Sequence, residues 1–171
     1  MGEGRKWCFL LFMTFKERIL LEELRVLSFF NNIENCSIFD MVNDSYKPFD
    51  ALVFKDKGKP TEVRMIVEAK VRGFKSDKYK GGLLLEKKKR DAILNELKEF
   101  RARGKNKTYK AYYLVCCDDK DMLFNLESDF GSIIYMNCPK ATASNGNNEM
   151  IKKECYMIDL SKSVKTIKNE Y

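Results

Sequence analysis

The chain has 171 residues, of which 44% are hydrophobic and 33% are charged; this composition is typical of one globular domain and excludes a disordered chain. Its formal net charge of +7 favours polyanionic partners, although a charged surface that keeps the protein soluble has the same signature. The sequence contains no histidine, which excludes histidine general bases, Cys–His and Ser–His dyads and histidine zinc sites. Any catalysis must therefore use carboxylates, lysine and a hard cation.

The amino-terminal apolar run and the cysteines indicate the cellular compartment of the protein. The apolar run WCFLLFMTF at 7–15 is too short to span a bilayer, and no small-residue cleavage site of a signal peptide follows it. The six cysteines form no C-x-x-C pair, which favours reduced thiols. We therefore expect a cytoplasmic protein without a membrane partner.

A capping box predicts the start of the first helix. Thr14 is followed three residues later by Glu17, and the helix is expected to end near Asn31. Leucines then recur at helical spacing and are the expected buried stripe: Leu20, Leu24 and Leu27. A short strand is predicted next, over 37–42.

Two apolar runs indicate the arms of a β-hairpin. Residues 48–54 (PFDALVF) and 63–71 (VRMIVEAKV) are rich in Val, Ile, Leu and Phe, and residues 55–61 between them hold Lys, Asp, Gly and Pro. The composition predicts strand, turn and strand, with the turn about Gly58 and Lys59.

This hairpin would bring charged side chains together. Its register places Asp50 roughly opposite Glu68, and Glu68 and Lys70 share a face because side chains alternate along a strand. Mg²⁺ needs only one or two carboxylates besides water and phosphate, so Asp50, Glu68 and the Ala69 carbonyl are candidate ligands. Lys70 would stabilise an attacking water or charge on phosphorus. The alternative is ordinary strand-end charge, but these charges interrupt apolar runs, where burial is costly.

The rest of the chain predicts a second helix over 83–101, a short helix over 118–126, a polar loop over 140–149 and a loosely held tail from Ser161. Three later apolar runs are of strand type: 109–117, 131–137 and 154–160. The order of elements predicts an α/β fold with a mixed central sheet flanked by helices, in a single domain over 1–171.

Asp50, followed by EAK at 68–70, resembles the signature of the PD-(D/E)XK nuclease superfamily, with PFD at 48–50 in place of the usual Pro-Asp. The resemblance covers about residues 14–117 and, within the superfamily, is greatest to Holliday-junction-resolvase-type and phage-type nucleases.

The resemblance implies a restriction-endonuclease-like αβββαβ core over about 14–137, with 138–171 as a carboxy-terminal extension. It also implies hydrolysis of phosphodiester bonds in DNA, more rarely RNA, with Mg²⁺ or Mn²⁺ as cofactor. Such nucleases carry a glutamate on the amino-terminal helix, for which Glu17 is the matching position. Resolvase-like relatives tend to be dimers, so a second copy of the chain is an expected partner.

Two positions on the predicted second helix could support the site. Glu86 lies near the apolar stripe of that helix, and Lys89 is beside it. The helix starts soon after Lys70, so its first turns should return toward the site, where these side chains would support the ligands or contact phosphate. The alternative is a salt bridge on an exposed first turn. The capping box alone likewise explains Glu17.

The basic loop 72–82 is the candidate nucleic-acid contact, with these members: Arg72, Lys75, Lys78, Tyr79 and Lys80. Its cations would neutralise phosphates, and its aromatic side chains would stack on bases. The alternative is a solvated loop.

Three functions fit these patterns. The first is a Mg²⁺-dependent endonuclease, and the second is a non-catalytic module that binds nucleic acid or protein on a nuclease-like fold. The third is an α/β interaction protein in which the charged triad is coincidental. Intact Asp50, Glu68 and Lys70 favour the first, because a binding module need not keep all three.

Overall fold

The computed structural model describes residues 14–42, 46–104, 106–140 and 149–169. The helices are α1 (Phe15–Asn31) and α2 (Lys87–Arg103), and neither is long and apolar enough to cross a membrane. The strands are β1 (Cys36–Met41), β2 (Ala51–Lys55), β3 (Val63–Val71), β4 (Leu83–Glu86), β5 (Thr108–Cys116), β6 (Lys120–Asn125), β7 (Ile133–Pro139), β8 (Met150–Ile158) and β9 (Lys165–Lys168). The predictions for 7–13 and 141–148 fall outside the described residues.

The strands form two sheets. Six of them make a mixed sheet in the order β1-β2-β3-β5-β6-β9, and an antiparallel sheet has the order β4-β8-β7. Strands β3 and β5 are parallel because α2 provides the crossover between them. Helix α1 packs on one face of the mixed sheet, and α2 packs on the other with the smaller sheet. The predicted α/β class, with a mixed sheet flanked by helices, is confirmed.

The hairpin of β2 and β3 has the predicted register. Ala51 pairs with Val67 and Lys55 pairs with Val63, so the next position brings Asp50 opposite Glu68. The Asp50 N–H extends the ladder by donating to the Val67 carbonyl at 2.9 Å. Local composition was sufficient to predict this element because the two arms are adjacent in sequence.

The start of α1 is also as predicted. The Thr14 hydroxyl accepts a hydrogen bond from the Glu17 N–H, and the Glu17 carboxylate accepts one from the Thr14 N–H. The helix ends at Asn31.

The predicted buried face of α1 is wrong. The leucine stripe is exposed, at 54% for Leu20, 53% for Leu24 and 36% for Leu27. The helix instead buries a second apolar stripe against the mixed sheet: Val26, Phe29 and Phe30. Both stripes have helical spacing, so periodicity alone could not choose between them. The two aromatic rings bury more area than leucines, which favours the observed face.

Three further predictions are corrected by strand pairing. The predicted helix over 83–101 begins only at Lys87, because 83–86 forms β4 and pairs with β8. The predicted helix over 118–126 is strand β6, which pairs with β5 and β9. The tail from Ser161 was expected to be loosely held, but it contains β9. Strands β4 and β9 pair with strands that are distant in sequence, and β6 is buried on both faces. Local periodicity therefore gave no signal for these strands.

Because α1 buries its aromatic stripe rather than its leucine stripe, truncating a residue of each stripe should lower the free energy of unfolding by different amounts. Phe30→Ala should lower the free energy of unfolding by about 3–5 kcal/mol, because it leaves a cavity between α1 and the sheet. Leu24→Ala should change it by less than about 0.5 kcal/mol, because that side chain is solvent-exposed. Urea unfolding of the two variants measures both values. Equal losses would contradict the observed orientation of α1.

Candidate functional site

Asp50 is held at the end of the hairpin by the backbone of the neighbouring strand. Its Oδ2 accepts a hydrogen bond of 2.7 Å from the Ala69 N–H. The Ala69 side chain is buried on the opposite face, against α1, as strand alternation requires. The Asp50 carboxylate therefore lies beside the positions that carry Glu68 and Lys70.

Glu68 is a buried acid that lies between Lys89 and Asp50. Its Oε1 lies 2.9 Å from the Lys89 ammonium, whereas its Oε2 is buried and accepts no hydrogen bond from a protein donor. Burial and the nearby Asp50 charge raise the pKa of Glu68 well above its ordinary value, and Lys89 opposes this shift. Glu68 therefore holds its proton to a higher pH than an exposed glutamate, and a further cation would stabilise its ionised form.

Lys70 lies beside a carboxylate that the sequence did not single out. Its ammonium is 3.5 Å from Glu22 Oε1, and the Val71 N–H donates to the same oxygen at 3.5 Å. Burial raises the pKa of Glu22, the Lys70 charge lowers it, and the Asp50 charge raises it further. Glu22 and Asp50 therefore share one local electrostatic environment.

Glu17 was the predicted helix residue, but its exposed carboxylate remains in the capping box with Thr14. Glu22 lies four residues before Val26, so it continues the buried stripe of α1 toward the site. The signal was therefore present in the sequence, but it becomes visible only once the aromatic stripe is chosen as the buried face.

The two predicted helix positions have different environments. Lys89 reaches Glu68 from the first turn of α2. Glu86 is the last residue of β4, and its carboxylate pairs with Lys153 of β8 at 2.9 Å. The structure brings Lys89 to the site and directs Glu86 toward the smaller sheet, because residues 83–86 are extended rather than helical.

The basic loop is anchored at its centre. Ser76 is buried, and both its N–H and its hydroxyl donate to the Asp119 carboxylate at 2.6 Å. Tyr79 packs partly buried against the core, and burial raises its pKa. The loop exposes its lysines: Lys75, Lys78 and Lys80. A fixed loop backbone thus presents the predicted cations to solvent.

Arg72 is half-buried at the start of the loop. Its Nε is buried and has no hydrogen-bond partner, and its charge lies close enough to Tyr113 to act on the pKa of that hydroxyl. Tyr113 pairs with Glu68 in the parallel ladder, and burial raises the pKa of Tyr113 to about 12. Arg72 is therefore less accessible to solvent than the loop lysines.

The number of described side chains that could bind a metal ion together is small. Within the described ranges, no three His, Cys, Asp or Glu side chains form a group that could enclose a metal ion. The sequence predicted only two side-chain ligands, Asp50 and Glu68, besides the Ala69 carbonyl, since Mg²⁺ keeps several waters and binds through one or two carboxylates plus phosphate.

No protein-family model, curated protein or solved structure matches the chain.

The raised pKa of Glu68 predicts a pH-dependent stability. The folded protein holds this proton to higher pH than the unfolded chain, whose acid has an ordinary value of 4.5. Stability should therefore fall as pH rises above that value toward the folded pKa. Glu68→Gln removes this loss, so in EDTA its melting temperature relative to wild type should increase as pH is raised above 4.5.

Glu17→Gln is the matched control. Its hydrogen bonds with Thr14 lower the pKa of Glu17. The wild type should therefore be more stable than this variant above 4.5, and the difference should shrink as pH falls. A Glu68→Gln difference that stays constant with pH would show that Glu68 does not titrate abnormally.

Proposed function

We propose that the protein is a Mg²⁺-dependent nuclease that hydrolyses phosphodiester bonds in DNA. One observation carries this proposal: the hydrogen bond from the Ala69 N–H to Asp50, which brings Asp50 beside Glu68 and Lys70. That arrangement of two acids and a lysine on adjacent strands resembles the active site of PD-(D/E)XK nucleases.

We also propose that the fold contains the restriction-endonuclease-like core. The order α1, three antiparallel strands, α2 and a parallel β5 supports this assignment. Strand β4, which belongs to the smaller sheet, would be an insertion before the crossover helix.

The oxygen atoms at the site fit a hard cation. An unpaired buried carboxylate oxygen is costly, and Glu68 Oε2 is one. Asp50 accepts the Ala69 N–H at Oδ2, and Oδ1 accepts no hydrogen bond from a protein donor in the described part of the chain, so Oδ1 would be its ligand atom. Asp50 and Glu68 would hold Mg²⁺, which when bound supplies charge stabilisation at phosphorus and lowers the pKa of a water.

Lys70 and Glu22 supply the remaining chemistry. The Lys70 side chain is 41% exposed, so its ammonium can reach a substrate while Glu22 restrains it. A fixed positive charge at that place stabilises an attacking hydroxide and the negative charge on the phosphoryl oxygens. Glu22 would position Lys70 without contacting the substrate.

The decisive experiment measures cleavage and binding separately. The substrates are linear, single-stranded and four-way-junction DNA and the corresponding RNA, each with Mg²⁺ or Mn²⁺. Lys70→Met should lower the cleavage rate by about a hundredfold or more, because it removes a charge that stabilises the transition state, while DNA binding is retained. Asp50→Asn should abolish cation binding measured by calorimetry.

Lys55→Met is the control, since Lys55 lies at the other end of β2 and should leave cleavage unchanged. Metal-independent binding that survives substitution of Asp50, Glu68 and Lys70, without cleavage of any substrate, would contradict the enzyme and support the non-catalytic module.

The exposed loop lysines generate a second expectation. Replacing Lys75 and Lys78 together by alanine should weaken DNA binding and make the plot of log K against log salt shallower by about two, since each lysine releases about one counterion. Lys98 and Lys165, exposed elsewhere, form the matched double control. Titrations over a range of salt concentrations give both slopes, and an unaltered slope would exclude this loop as the contact.

A further inference from the structure

Lys89 is the cation that contacts Glu68 in the protein alone. Its ammonium lies 2.9 Å from Glu68 Oε1, and Asp50 is close enough to raise the pKa of the same acid. The other lysine of the site, Lys70, pairs with Glu22. The inner pair of acids, Asp50 and Glu68, therefore has Lys89 as its nearest positive charge.

The position of Lys89 is unfavourable apart from this contact. It belongs to the sequence KKKR that begins α2, where the helix dipole disfavours cations and like charges repel one another. Two of its neighbours have other partners: Lys87 bonds Asp91, and Arg90 donates to the Leu126 and Ser128 carbonyls. Glu68 is thus the interaction that holds the Lys89 ammonium at the site.

We propose that Lys89 is an internal counterion of Glu68 and that a divalent cation displaces it. The displaced Lys89 ammonium then binds a phosphate of the substrate. This inference rests on the proposed function, because it assigns a second role at the same site. The Lys89 side chain is 39% exposed, so its ammonium has solvent-filled space into which to move.

Charge balance supports the exchange. Asp50 and Glu68 carry two negative charges in their ionised forms, of which Lys89 can compensate only one, whereas a divalent cation stabilises both. With Lys89 and a divalent cation both in place, the inner pair would be overcompensated and the two cations would repel at short range. A phosphodiester carries one negative charge, so it can accept the displaced ammonium and leave the assembly neutral.

The first test uses Ca²⁺ alone and measures its affinity by calorimetry without nucleic acid. Lys89→Met should bind Ca²⁺ about tenfold more tightly than wild type, because a competing charge is removed. Lys89→Arg keeps that charge and should match wild type. Lys88→Met, which removes an exposed charge from the same helix turn, is the matched control and should also match wild type.

A gain in affinity is diagnostic, because structural damage at the site would weaken cation binding. If wild type binds Ca²⁺ in a manner that depends on Asp50 but Lys89→Met binds equally or more weakly, the counterion role is overturned and the nuclease proposal stands. If neither protein binds Ca²⁺ in a manner that depends on Asp50, the nuclease proposal fails and the counterion role fails with it.

The second test measures DNA affinity with and without Ca²⁺. With Ca²⁺, Lys89→Met should bind DNA about tenfold more weakly than wild type, with a salt slope shallower by about one. Without Ca²⁺ the two proteins should bind alike, because Lys89 is then engaged by Glu68. If Lys89→Met lowers DNA affinity equally with and without Ca²⁺, or lowers it in neither condition, the transfer of Lys89 to phosphate is overturned.

Discussion

The hydrogen bond from the Ala69 N–H to Asp50 Oδ2 links the register of the β2–β3 hairpin to the charged site at its end. A slip of one residue would turn Glu68 and Lys70 to the opposite face, where Ala69 now packs against α1. The bond also fixes the Asp50 carboxylate beside strand β3 without using a side-chain partner. The candidate chemistry thus depends on a backbone contact that only this register permits.

The charged site lies against an apolar interior. Glu68 is buried, its Oε2 accepts no hydrogen bond from a protein donor, and the buried Arg72 Nε is also unpaired. Such groups cost stability unless a ligand or water satisfies them, and that cost is typical of functional sites. Helix α1 supplies the compensating packing: Phe29 and Phe30 bury themselves against the sheet, and the same helix face presents Glu22 to Lys70.

The parallel pairing of β3 and β5 explains how Lys89 reaches the site. Because parallel neighbours need a crossover, α2 must return across the sheet, and its first turn reaches Glu68 with Lys89. The same ladder places Tyr113 opposite Glu68, and the Arg72 charge acts on the Tyr113 hydroxyl. Residues from α1, β3, β5 and α2 therefore share one electrostatic environment, although they are distant in sequence.

The hairpin, its register, the capping box of α1 and the mixed α/β class could be predicted from the sequence, because each depends on neighbours close along the chain or on the order of elements. Tertiary contacts determine which stripe of α1 is buried, that residues 120–125 and 83–86 are strands, and that Glu22 rather than Glu17 lies beside Lys70. They also direct the Glu86 carboxylate toward Lys153. Most of these outcomes depend on strand partners and packing surfaces far away in sequence, and β6 is buried on both faces, so local periodicity does not encode them.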